Sequence, residues 1–193
     1  MDARERLASA ARSLKPLQQG HLDSLCGLYA TINAIQLALH PARRLKRSEL
    51  VQLFDAGLDG LRSVRSTHSA LILGMHEPVW RAVSAAVIAR ANAITGRKLE
   101  LVRVSLTPDT DGFALTRHIR HNVSRGRPVL LCVEGRLNHW TVVARFSKTR
   151  LTLFDSSHHA WLLVRSIGVG GGDLAKPYTV PPYGVVALHG PEP

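Results

Sequence analysis

The stretch HLDSLCGLYATINAIQLALHP, residues 21–41, decides how the rest of the chain is read. Asp23 and Ser24 are residue types that cap helix N-termini, and behind them Leu28, Ile32, Ile35 and Leu39 recur at helical spacing until Pro41 ends the segment. The spacing predicts an apolar helix whose first turn holds Cys26, one of only 2 cysteines in the chain. A helix N-terminus stabilises negative charge through its unpaired N–H groups and dipole, so a cysteine there has a physical reason to ionise.

Outward from this helix the chain divides in two. Ser48 is placed to cap a second helix, SELVQLFDAGL, closed by the DAGLDG stretch. EPVWRAVSAAVIARANAITG predicts a third, with Pro78 in its first turn and Gly96 as its stop. Between them RSVRSTHSALILGMH lacks clear periodicity and reads as a loop with room for a short helix, while residues 1–17 read as an N-terminal extension or helix. KLELVRVSL alternates as a half-buried strand, and DGFALTRHIRHNVSRG returns to helical spacing. After it come strand-like pieces only: PVLLCVEG, HWTVVARF, RLTLFDS, AWLLVRS and YGVVALHG. Helices first and strands afterwards predict an α+β domain, residues 1–193 as one unit, with a mostly antiparallel C-terminal sheet.

The totals set bounds. A chain of 193 residues can bury one sizeable core, and 45% hydrophobic with 20% charged residues is ordinary for a globular protein. No apolar run approaches the roughly twenty residues needed to span a bilayer, so no membrane partner is expected. MDARERLASAARSLKP lacks the apolar core of a secretory signal, which predicts a cytoplasmic protein or one delivered by a route without a classical signal peptide. The net charge of +11 favours acidic partners. The arginines are spread along the chain without interleaved aromatics, so nucleic acid is not expected as the primary partner.

A cysteine nucleophile needs an imidazole, and the chain offers 10 histidines. His139 stands apart because it opens the strand HWTVVARF after the polar turn GRLN, where a side chain can point from a sheet end into a cleft. Asp155 ends the next strand, RLTLFD, and in a hairpin of the two it would lie near His139 and orient the ring. Asp155 can also cap the turn DSS. Cys132, inside the apolar run PVLLCV, reads as an inert core thiol. His158 and His159 lack the spacing of a metal site, so no metal or other cofactor is expected. GVGGGD, residues 168–173, lacks the ending of a phosphate loop and reads as a mobile connection between strands.

Gln18 or Gln19, then Cys26-Gly27 at a helix start, then His139-Trp140 and Asp155 on successive strands resemble the papain-like cysteine peptidases, particularly the C39-like bacterial group. The resemblance implies a papain-like fold with the nucleophile helix packed against the sheet. It also implies a thiol hydrolase that cleaves a peptide or isopeptide bond, with Cys26 as nucleophile, His139 as general base and acid, and Asp155 fixing the histidine tautomer. Gln19 (or Gln18) would complete the oxyanion hole; counted back from Cys26, the family's glutamine position falls on Gly20 here, which leaves both glutamines open. The substrate would be a protein or peptide, an acidic one suiting the basic surface, and the role would be that of a housekeeping peptidase, an effector or a toxin. Two alternatives stand beside this: a transglutaminase, deamidase or acyltransferase using the same triad, or a catalytically silent peptide-binding module.

Overall fold

The computed structural model describes residues 1–21, 23–107, 110–170 and 176–190. Its centre is helix α2 (Cys26–Leu39), which begins at the cysteine and stops before the His40–Pro41 bond. Leu28, Ile32 and Ile35 are fully buried, and burial of each such side chain contributes about 1.5–3 kcal/mol. Because Ala30, Thr31, Asn33, Ala34, Leu37 and Leu39 are buried too, α2 is enclosed on almost every side. A β-sheet covers one part of it and the helices α3 (Arg47–Arg62) and α5 (Glu77–Thr95) cover another.

Around this core the described elements are α1 (Ala3–Ser13), α4 (Thr67–Leu73) and α6 (Gly112–Ser124), with strands β1 (Glu100–Arg103), β2 (Val129–Gly135), β3 (His139–Phe146), β4 (Arg150–Leu153), β5 (Trp161–Leu163), β6 (Ile167–Val169), β7 (Tyr178–Val180) and β8 (Val185–His189). The sheet runs β1-β8-β2-β3-β4-β5, with β7 added beyond the end of β8 along β2 and β6 paired to β7. Every pairing is antiparallel except β6 with β7. The molecule is therefore α+β, with five described helices before the first strand, α6 between β1 and β2, and the rest of the sheet behind. One hydrophobic cluster runs through all layers, from Leu7 in α1 to Leu188 in β8.

Of the two readings of the N-terminal segment, the helix is the one that forms: Asp2 Oδ1 accepts the Glu5 N–H at 2.7 Å, and Leu7 and Ala10 are buried. Other local expectations change. Helix α3 does not stop at DAGLDG but runs through it. Those glycines serve close helix packing, since a Cβ on Gly57 would lie 2.3 Å from Leu28 Cδ1 and one on Gly60 would lie 2.9 Å from the Ala82 carbonyl. Its cap is at Lys46, whose N–H is taken by Glu49 Oε2 at 2.8 Å, rather than at Ser48. Of the glycine-rich stretch, Gly168 and Val169 belong to β6, and residues 171–173 lie outside the described residues.

Helix α5 follows its punctuation, and α6 forms where helical spacing returns. Pro78 sits in the first turn of α5, Gly96 closes that helix with φ +65°, and Asp111 Oδ1 caps α6 through the Ala114 N–H at 2.6 Å. Among the described residues no single helix is long and apolar enough to cross a membrane; α4 and α5 together have the length and composition but bend by 114° at their junction.

Candidate active site

Cys26 is the first residue of α2, half-buried, with Leu25 as the N-cap. No side chain caps this helix: Asp23 instead folds the approach loop, its Oδ1 accepting the Leu25 N–H and its Oδ2 the Gly20 N–H, each at 3.1 Å. Ser24 is bound elsewhere as well, its N–H to the Leu71 carbonyl at 2.9 Å and its hydroxyl to that of Ile72 at 3.3 Å. The expected caps thus tie the loop to itself and to α4. The consequence is chemical, because the first N–H groups of α2 are not taken by a capping side chain and can meet negative charge at Cys26.

The sheet brings the partners. Gly135 and Asn138 both take positive φ, +84° and +46°, as the chain turns from β2 into β3, and His139 follows as the first residue of β3 opposite Val133. The hairpin of β3 and β4 pairs Val143 with Leu153, and the Phe154 N–H donates to the Val142 carbonyl at 2.8 Å, so Asp155 emerges beside the start of β3. There its Oδ2 meets His139 Nε2 at 2.8 Å. Asp155 Oδ1 accepts the Ser157 and His159 N–H groups at 2.8 and 3.0 Å. The residue both organises its turn and holds the ring, so the two roles read from the sequence coexist.

On the sulfur side, the Trp140 backbone N–H points at Cys26 Sγ, 3.5 Å away. The His139 ring adjoins the same thiol. Since Nε2 is occupied by Asp155, Nδ1 is the ring nitrogen left for the sulfur. Burial of His139, 7% exposed, works against its charge, but the hydrogen bond to Asp155 and the neighbouring thiol outweigh this and raise its pKa above the ordinary imidazole range. Burial likewise opposes ionisation of Asp155, 4% exposed, yet the bond and charge of His139 hold its carboxyl below the usual carboxylate range. The pair is therefore poised as imidazolium and carboxylate.

Behind the thiol, Trp80 of α5 stacks on Trp140 with ring centroids 4.1 Å apart and planes 12° from parallel. A side chain at Gly27 would put its first carbon 2.5 Å from Trp80 Cδ1, which explains why glycine follows the cysteine. Trp140 is buried beside the thiol, and Trp80, which had no signal in the sequence, covers it from α5. His159, edge-on to the His139 ring with centroids 5.5 Å apart, was also missed as a neighbour of that ring.

The two glutamines separate. Gln19 Nε2 donates to the Asp23 carbonyl in the loop just before Cys26, and its N–H holds the Ser156 carbonyl at 2.9 Å. Gln18 turns its amide toward the carbonyls of Pro16 and Asp155, at 3.2 and 3.4 Å. Asn138 serves the turn conformation through its positive φ. Cys132 lies on β2 opposite Trp140, buried, its thiol pushed up strongly by burial and by the charge of Glu134. Among the described residues no group of His, Cys, Asp and Glu side chains is arranged to hold a metal ion. Comparison with protein-family models, curated proteins and solved structures finds no match to this chain.

Proposed function

We propose that the chain is a papain-like thiol hydrolase that cleaves a peptide or isopeptide bond through an acyl-thioester on Cys26. The observation that carries this reading is the meeting of three side chains from distant parts of the chain: His139 Nε2 on Asp155 Oδ2 at 2.8 Å, with the same ring against a cysteine that starts a helix. Burying a charged imidazole–carboxylate pair costs desolvation free energy, and such perturbed pairs cluster at functional sites, where activation of a thiol is one use for them.

In the proposed reaction the Cys26 thiolate attacks the carbonyl carbon, and negative charge develops on its oxygen. The Cys26 backbone N–H and the second N–H of Gln19 Nε2 are assigned to that oxygen; Gln18, turned toward Asp155, is not. The His139 imidazolium then gives its proton to the departing amine as the C–N bond breaks, leaving a thioester. Water attacks the thioester, His139 takes one of its protons, and the carboxylate product leaves as Sγ recovers its electron pair. Asp155 keeps the ring oriented throughout. An amine in place of water would turn the same intermediate to transfer, and the identity of the acceptor separates hydrolase from transglutaminase or acyltransferase.

The test is to trap the intermediate. Mixed with an activated acyl ester and quenched in acid, the protein should gain the acyl mass on a peptide containing Cys26, and the label should disappear on neutral incubation with release of the free acid. Acylation that persists in Cys26→Ala protein would refute the assignment.

A further inference from the structure

The end of α2 away from Cys26 meets a different environment. With 14 residues the helix is about 21 Å long, and its C-terminal residues wall a cavity of about 790 Å³. This is within the range of about 300–1,000 Å³ typical of small-molecule sites. Four arginines from separate parts of the chain line it: Arg6 of α1, Arg97 after α5, and Arg125 and Arg127 at the end of α6. No carboxylate lines it among the described residues. Arg6 donates to the Met1 carbonyl at 3.1 Å, and neither it nor Arg97 or Arg125 takes part in any of the ion pairs of the described residues. His40 belongs to the same wall; its Nε2 meets Ser13 Oγ at 3.2 Å, while its buried Nδ1 has no hydrogen-bond partner among the described residues.

An ordinary explanation of basic residues here is that they complement helix C-termini. Two helices, α2 and α6, end at the cavity, each bringing a partial charge of about −0.5, and the first turn of α1 returns about +0.5. Leaving Arg127 aside, the three guanidinium groups of Arg6, Arg97 and Arg125 already exceed what those ends require. Holding several cations around one concavity raises the local potential, which a bound polyanion relieves. Guanidinium groups also suit phosphate geometrically, through paired N–H donors.

We propose that this cavity is a binding site for a small, multiply phosphorylated molecule, held by Arg6, Arg97 and Arg125 with His40 at its wall. Its volume of about 790 Å³ argues for a compact ligand over a polynucleotide, which would track a long surface groove. The site is separate from the thiol chemistry and stands without it.

Calorimetric titration of the full chain at about 0.15 M salt, where exposed charges are screened, tests the proposal with tripolyphosphate, ATP and inositol hexakisphosphate as probes. At least one should bind with one-to-one stoichiometry, in wild-type and Cys26→Ala protein alike, and the ranking of the three identifies the scaffold that carries the phosphates. The exposed pair Arg97→Glu with Arg125→Glu should weaken binding about tenfold or more, whereas Arg62→Glu with Lys148→Glu, an equal change of charge elsewhere, should alter it less than about twofold. Circular dichroism shows whether each variant is folded, and Arg97→Gln with Arg125→Gln repeats the test with a smaller perturbation. No binding of any probe, equal weakening by the two charge-reversed pairs, or binding of single-stranded RNA that tightens with length and ignores Arg97 and Arg125 would each overturn the proposal.

Discussion

The two cysteines carry the same side chain and differ in almost everything around it. Cys26 begins a helix, is half-buried, receives the Trp140 N–H and adjoins an imidazole held by a buried carboxylate. Cys132 sits in mid-strand on β2, 7% exposed, and burial drives its thiol toward the protonated form. Trp140 stands between the two positions, opposite Cys132 in the register of β2 and β3 and donating through its backbone to Cys26. On the proposed reading, reactivity comes from placement. A thiol gains function when its surroundings favour the thiolate, and packing alone favours the opposite.

The widest separation of the pair should appear in turnover. Cys26→Ala should lower hydrolysis of a peptide library by about 10⁴-fold or more, because the covalent route is removed, while Cys132→Ala leaves it within about twofold. Equal losses would erase the distinction between them. The imidazole comes next: His139→Ala should cost about 10²- to 10⁴-fold in turnover, the usual range for a general acid–base group. It should also slow iodoacetamide labelling of Cys26 without changing that of Cys132. If labelling of Cys26 is indifferent to His139, the ring does not activate the sulfur.

Asp155→Asn removes a charge-assisted hydrogen bond worth about 1.5–3 kcal/mol, so kcat should fall about 10- to 150-fold. KM should hold nearly steady, since the carboxylate touches the ring and not the substrate. A change confined to KM would move Asp155 from orienting the base to binding.

The same pair makes stability depend on pH in a stated direction. His139 has its pKa raised on folding, so its contribution is complete below the unfolded value of about 6.5 and is lost as pH rises through the folded value. Asp155 has its pKa lowered, so its contribution is complete above the unfolded value of about 3.9 and is lost as pH falls through the folded one. Both are complete between about pH 4 and 6.5. Thermal unfolding of wild-type protein should show this plateau with declines on each side, and His139→Gln should flatten the alkaline decline. An alkaline limb unchanged in that variant would contradict the coupling.

The smallest effect belongs to the inert thiol. Cys132→Ala leaves a small void in the sheet core and should cost about 1–2 kcal/mol in denaturant unfolding, with activity retained. Cys26→Ala, at a half-buried helix start, should cost less, reversing the order of the two residues between activity and stability.

Local chemistry was legible in advance. Pro78 and Gly96 bound α5, helical spacing marks α6, alternation marks β1, and Cys26 opens the helix predicted for it, because each signal acts between residues a few positions apart. His139 at a strand start and Asp155 at a strand end were readable for the same reason. The sequence could not show that Gly57 and Gly60 lie inside α3, that Asp23 and Ser24 turn away from the helix they precede, or that Trp80 closes over Gly27. Nor could it gather Arg6, Arg97 and Arg125 around one cavity. These depend on contacts between segments far apart in the chain, and such contacts are decided by how helices and sheet share a core. Residue order along the backbone carried the parts of the site, and only close packing of distant segments brought sulfur, ring and carboxylate together.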